Sequence, residues 1–339
     1  MIVDADAHVI ESDRTWDYLE AHERRYRPVA LDGGGGEKFW LVDGQLFSRE
    51  AGDLDLPIAV RQLDDLPSRR DIMARSGIDA QVLYPTLFLQ GMPSKRPEIQ
   101  IALCRSYNRW LAEVWREDNR FYWAVVPPLL DMDAALAELD HGKRNGARAV
   151  FLRGIEDEWL LTDPYLEPLY RRAEALDLAI GVHAGNGNGA FKSVLFRKDL
   201  YFFGITPILA GFNALASSGL QDKYKTLRFG FIEAGSQWVP YLVREAARRH
   251  AMIGTKGEVK DHATFLRENR IWVTARTDDD LDYVLRYTGP TVLMLGTDFG
   301  HLDPAAELDA FDTLRAKPGI GRETVDAILS ANVRTFYAL

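Results

Sequence analysis

The chain has 339 residues, 47% of them hydrophobic, with 41 basic and 50 acidic side chains and a formal charge of -9 at pH 7. That is enough apolar material for one large α/β domain or two smaller ones. The charges are dispersed, and no basic run points to nucleic acid. No stretch of about 18 apolar residues would span a membrane, and no basic segment leading into an apolar one marks a secretory signal, so a cytoplasmic location is the expectation.

The first eleven residues, Met1 to Glu11, pass from an apolar start into alternating acids and a histidine. In a strand, Asp4, Asp6 and His8 share one face. Three polar side chains on an inner face are costly unless satisfied. A divalent cation would satisfy them, since carboxylate and imidazole are common ligands; an edge strand with exposed polar residues gives the same pattern. Residues 12–62 are an excursion. Within it 12–30, carrying Trp16, Tyr18 and Tyr26, reads as a loop or short helix. Gly33 to Gly36 lacks the spacing of a phosphate-binding loop. Phe39-Trp40-Leu41-Val42 and Gln45-Leu46-Phe47 flank Asp43-Gly44, which predicts a small β-hairpin over 37–48. A helix follows near 64–75.

From there apolar runs alternate with helical segments. The runs are Ala80 to Tyr84, Trp123 to Val126, Ala149 to Leu152, Ala179 to His183, Phe229 to Glu233, Ile271 to Thr274 and Val292 to Gly296. Helices are expected near 97–118, 131–144, 164–176, 206–218, 237–251, 278–288 and 303–316, with a last one near 322–337; Asp131, Asp163-Pro164 and Asp303-Pro304 suit helix starts. Cys104, alone of its kind, falls in the apolar run Ile101 to Cys104 and reads as buried filler. Near-continuous apolar strands separated by helices mean a parallel sheet covered on both faces. Counting the first strand, eight such units fit an α/β (β/α)8 TIM barrel in one domain, 1–339, better than an open sheet. A long loop, 184–226, follows the fifth strand. Its glycine–asparagine turn and its aromatics, Phe191 to Phe203, suit a lid or pocket wall, or a packing cluster under the loop.

Active sites of such barrels lie at the C-terminal strand ends. Four strands end in metal-ligand residue types: Asp6 and His8, His183, Glu233, and Asp298. A charge just after an apolar run is expensive unless paired, and four converging on one mouth point to a joint metal site. Arg153, just past the fourth strand, would offer a substrate carboxylate or phosphate a bidentate fork, or form a surface salt bridge.

The chain resembles the amidohydrolase superfamily, in the amidohydrolase 2 branch that includes metal-dependent hydrolases and aminocarboxymuconate-semialdehyde decarboxylase-like enzymes. The family's H-x-H is matched by Asp6-Ala7-His8 with an acid first, its strand-5 histidine by His183, and its strand-8 G-[ST]-D-[YF]-P-H by Gly296 to His301. Gly77 to Thr86, which includes Tyr84, is also typical of the branch. One departure stands out: decarboxylase members have an H-x-G histidine after strand 6, where this chain has Glu233-Ala234-Gly235. No strand-4 lysine is available for a carbamate bridge, since Phe151-Leu152-Arg153 occupies that position.

The resemblance implies one divalent ion or two, zinc, iron or manganese, held by Asp6, His8, His183 and Asp298, with Glu233 as a further ligand or base. Asp298, Glu233 and His183 would be catalytic, Asp298 accepting the proton of a metal-activated water. Arg153, Tyr84, Glu11 and Phe203 would contact substrate, and His301 and Asp4 would stand behind the ligands. The function expected first is hydrolysis of an amide, ester, thioester or carbon–carbon bond beside a ketone in a small, apolar or aromatic acid. The alternatives are non-oxidative decarboxylation of an aromatic or unsaturated acid, and a non-catalytic ligand-binding barrel. A small-molecule substrate and a homodimer or higher homo-oligomer, with the hairpin as a contact, complete the expectation.

Overall fold

A computed structural model describes residues 1–34, 37–49, 56–189, 202–253, 261–301 and 305–339, with backbone alone at 202–203 and 250–253. In chain order its strands are β1 (Val3–His8), β2 (Val29–Asp32), β3 (Lys38–Val42), β4 (Gln45–Ser48), β5 (Ala80–Tyr84), β6 (Phe121–Val125) and β7 (Ala147–Arg153). They continue with β8 (Ile155–Glu156), β9 (Trp159–Leu160), β10 (Ala179–His183), β11 (Phe229–Ile232), β12 (Ile271–Ala275) and β13 (Leu293–Leu295). Eight form one parallel sheet in the order β1-β5-β6-β7-β10-β11-β12-β13. Every residue of β1, β5, β10, β11, β12 and β13 is buried. Side chains enter the barrel on one face and meet the helical layer on the other, which is why the runs after β1 are mostly apolar.

The seam is stitched at the mouth. Asp298 N–H donates to the Asp6 carbonyl at 2.9 Å, and His8 N–H to the Phe299 carbonyl at 2.8 Å. Glycine at 296 permits this approach, since a Cβ there would stand 2.3 Å from Asp6 Cβ. At the other end of the sequence, Tyr337 OH donates to the Ala5 carbonyl at 2.7 Å and pins the last helical run to β1. The barrel helices start where capping chemistry places them: Asp65, Asp131 and Asp280 accept from Ser68, Ala134 and Tyr283 N–H.

The predicted barrel and hairpin are present, whereas of the expected loop 184–226 the described part holds two helices, Phe202–Ser218 and Leu220–Lys223. Asp43 and Gly44, with φ of 47° and 77°, form the tight turn between β3 and β4. The stretch 12–30 differs from its reading as loop or helix: beside two short helical turns it holds β2, which makes the insertion a three-stranded antiparallel sheet. Val29 and Leu31 of β2 stay partly exposed, so no apolar-in, polar-out alternation marked the strand. The sheet's inner face packs Trp40 edge-on against Trp16. The β8–β9 pair after β7 was not anticipated either. The expected helix start at Asp303-Pro304, and Phe191 to Tyr201 of the loop, lie outside the described residues. Among the described residues no helix is long and apolar enough to cross a membrane.

Candidate metal centre

Pleating turns Asp6 and His8 of β1 to the same inner side, β10 brings His183, and the turns after β11 and β13 bring Glu233 and Asp298. All five converge. His8 Nε2 lies 3.1 Å from His183 Nε2, 3.4 Å from Asp6 Oδ1 and 3.3 Å from Asp298 Oδ1; His183 Nε2 lies 3.2 Å from Asp6 Oδ1. Ligand atoms bonded about 2.1 Å from one ion stand about 3.0–3.4 Å apart, so the spacing suits a shared cation. The tautomers suit it too. His8 Nδ1–H is taken by the Pro85 carbonyl at 3.0 Å. His183 Nδ1–H is taken by the Ala184 carbonyl at 2.8 Å, with Glu233 Oε2 at 3.2 Å. Both rings therefore turn an Nε2 lone pair to the centre. Two overlapping quartets meet the spacing for an ion, Asp6-His8-His183-Glu233 and His8-Glu233-Asp298-His301.

Two of the acids sit on unusual backbone. Glu233 has a φ of 64° and Asp298 of 49°, left-handed positions that cost a non-glycine residue. Each is held there by a hydrogen bond, Glu233 N–H to Thr274 Oγ1 at 2.8 Å and Asp298 N–H to the Asp6 carbonyl. Burial pushes the Asp6 carboxyl up, but His183 and His8 beside it more than reverse this and leave it below the usual range. Burial pushes the His8 imidazole down.

Behind the cluster lies a second layer. Asp4 accepts from Thr297 N–H at 2.9 Å, Thr297 Oγ1 at 2.6 Å and Gln81 Nε2 at 3.0 Å; burial raises its pKa to about 6. Arg69, fully buried, donates to Gln81 Oε1 at 2.8 Å and the His8 carbonyl at 3.0 Å and lies over the Phe299 ring. His301 stacks on His8 and places Nδ1 2.9 Å from Asp298 Oδ1.

Three of the expected substrate contacts have partners inside the fold. Arg153 is fully buried and donates to Glu156 and the Phe88 carbonyl, an internal ion pair that leaves its fork unavailable. Glu11 accepts from Thr86 and Leu87 N–H at 3.1 and 2.9 Å and serves the loop after β5. Tyr84 is buried in the barrel, its hydroxyl 2.8 Å from that of Tyr337. The side chain of Phe203 lies outside the described residues. Arg276 directly follows β12 and lines a cleft with Asp6, Glu233 and Asp298, a strand-end place like that of Arg153.

A parallel barrel with a buried histidine and carboxylate cluster at its C-terminal mouth is the architecture of a barrel metalloenzyme. The chain belongs to the amidohydrolase family, whose model, Amidohydrolase, matches residues 3–339. Solved structures of the same fold include an amidohydrolase of Mycobacterium avium subsp. paratuberculosis K-10, 18% identical over 100% of this chain and 98% of that one, TM-score 0.78. A 5-carboxyvanillate decarboxylase of Sphingomonas paucimobilis is 17% identical over 100% and 99%, TM-score 0.71. Another, from Novosphingobium aromaticivorans with bound manganese and 3-methoxy-4-hydroxy-5-nitrobenzoic acid, is 16% identical over 80% of each chain, TM-score 0.67.

Proposed function

We propose that the protein is a metal-dependent, non-oxidative decarboxylase of a small aromatic or unsaturated carboxylic acid. The observation that carries this reading is a carboxylate–imidazole pair, Asp298 and His301, beside the cluster. Thr86 Oγ1 gives its one hydrogen to the Val9 carbonyl at 2.7 Å. It must then accept from His301 Nε2–H, 2.9 Å away. His301 Nδ1 then faces Asp298 Oδ1 at 2.9 Å, so that a proton taken up by either group would lie between the two. Decarboxylation leaves an electron pair on carbon that must be protonated. Hydrolysis instead needs a base to take a proton from water. A carboxylate–imidazole pair placed to take up and hand on a proton serves the first.

A divalent ion of the zinc, manganese or iron(II) kind, held by Asp6, His8, His183 and Asp298, would supply Lewis acidity toward the carboxylate and a neighbouring oxygen. The chain supplies the rest. Pro85 and Ala184 fix the two imidazoles, and Thr86 fixes His301. As the carbon–carboxyl bond breaks, its electron pair stays on carbon, and the Asp298–His301 pair delivers the proton that forms the new C–H bond. Carbon dioxide leaves, and solvent restores the proton. The two 5-carboxyvanillate decarboxylases among similar structures support the reading. Hydrolysis is the second reading, favoured by Glu233, a carboxylate where a cationic donor would serve a decarboxylase better.

The test is carbon dioxide release from hydroxybenzoate-type acids against hydrolysis of a thioester and amide panel, with metal-loaded enzyme. Carbon dioxide release that Asp298→Asn abolishes is the expected result. Hydrolysis without carbon dioxide release overturns the proposal.

A further inference from the structure

We propose that Arg69 and Gln81 are positioning residues of the metal centre, and that with Asp4 and Thr297 they form one buried chain setting where Asp298 stands relative to His8. The inference rests on the cluster being a metal site and does not depend on which reaction it serves. The sheet runs in order from β1 to β13, and among the described residues its two ends meet through an isolated bridge, Ala7 to Phe299, rather than a paired ladder. Yet His8 and Asp298 come from the two sides of that seam, with Nε2 and Oδ1 3.3 Å apart. A ligand set needs its geometry held within about 0.5 Å by the groups behind it.

The chain closes the seam from behind. The helix Leu66–Arg75 supplies Arg69 and β5 supplies Gln81. Gln81 turns its amide oxygen to Arg69 Nε at 2.8 Å and its amide nitrogen to Asp4 Oδ2 at 3.0 Å, the orientation that satisfies cation and carboxylate at once. Asp4 in turn accepts from Thr297 N–H at 2.9 Å and Oγ1 at 2.6 Å. At the other end Arg69 Nη2 donates to the His8 carbonyl at 3.0 Å, and the guanidinium carbon lies 4.3 Å from the centre of the Phe299 ring. The neighbours of Asp298 are therefore held by opposite ends of one chain, Thr297 by Asp4 and Phe299 by Arg69, while Arg69 also holds the carbonyl of His8. That bracket joins the Asp298 N–H bond to the Asp6 carbonyl in keeping Asp298 at its left-handed φ of 49°. A buried cation is costly unless hydrogen-bonded. Arg69 is fully buried, and its countercharge, Asp4, acts through Gln81. An apolar side chain at 69 would fill the core without that cost, so packing does not account for the charge, whereas the three-way hold on His8, Gln81 and Phe299 does.

Cobalt(II), whose visible absorption follows its coordination geometry, is the probe. It is titrated without substrate into metal-free wild type, Gln81→Met, Arg69→Lys and the double variant. Gln81→Met cuts the chain in the middle at similar volume. It should bind cobalt about 10–100-fold more weakly and shift the absorption band of the bound ion. Arg69→Lys keeps the charge but loses the planar fork, and should fall between; it decides alone should Gln81→Met not fold. The double variant should lose no more than the weaker-binding single, because the chain is already cut. Urea denaturation of the metal-free proteins separates positioning from plain support. Variants destabilised in urea whose cobalt affinity and spectrum match wild type overturn the proposal, as do losses that add in the double variant. Wild type that binds cobalt no better than the variants removes the role of the chain and leaves the metal centre standing. Wild type that binds no cobalt removes both.

Discussion

Glu233 Oε2 lies 3.2 Å from Nδ1 of His183, on the ring whose other nitrogen stands 3.1 Å from His8 Nε2 and 3.2 Å from Asp6 Oδ1. The Ala184 carbonyl accepts the Nδ1 proton and sets the ring's tautomer, and an acid beside it makes Nε2 a better donor to a cation. Glu233→Gln should therefore lower metal affinity by about 10–100-fold, read by competition with a chromophoric chelator. Turnover at saturating metal should largely survive. Unchanged affinity with lost turnover would instead make Glu233 a base acting on substrate or water.

Removing a ligand outright should act on stability as well as activity. An ion that binds only the folded chain stabilises it by about 2.7 kcal/mol at a hundred times its dissociation constant. Wild-type Tm should rise with added manganese or zinc and fall on treatment with a chelator. His183→Ala should fold and yet show no such rise, with bound metal near zero by elemental analysis. A variant that keeps the ion would remove His183 from the ligand set.

The barrel was legible because seven strands after β1 are mostly buried and read as near-continuous apolar runs, and the cluster because Asp6, His8, His183, Glu233 and Asp298 fall at the C-terminal ends of strands. What stayed hidden depends on partners remote in the chain. Arg153 and Arg276 look alike in sequence. Glu156, folded back by the β8–β9 turn, seals one, while the other meets the exposed Asp278 among its partners. Thr86 gains its meaning from Val9 and His301, 77 and 215 positions away. The left-handed backbone of Glu233 and Asp298 leaves no mark in composition, since neither is glycine.

The Arg153–Glu156 pair makes a stability prediction that also separates structure from substrate binding. Both side chains are nearly inaccessible, at 1% and 3% exposure. Arg153→Met leaves a buried carboxylate without its cation and should cost about 3–5 kcal/mol in urea denaturation. The double variant Arg153→Met/Glu156→Leu removes both charges and should recover much of that loss. A substrate-binding arginine would behave differently: the single change would spare stability and raise KM.

Glu11 predicts a pH dependence of folding. It is 1% exposed, and burial lifts its pKa from the ordinary 4.5 to about 7 even though Leu87 and Thr86 N–H groups favour the charged form. Between these values the folded chain keeps a proton that the unfolded chain has released. Stability from this group is thus full below about pH 4.5, falls as pH rises toward 7, and is flat above. The move from 4.5 to about 7 corresponds to roughly 3 kcal/mol. In Glu11→Gln this proton is gone, while one acceptor for the loop after β5 remains and the other becomes a donor facing an N–H, a fixed cost of about 1 kcal/mol. Urea denaturation at pH 4.5, 6 and 7.5 should show the wild type losing stability relative to Glu11→Gln across that range, with the variant less stable in acid and the order reversed near neutrality. Parallel pH profiles for the two proteins would mean that Glu11 is ionised in the fold throughout, with its two N–H donors outweighing burial.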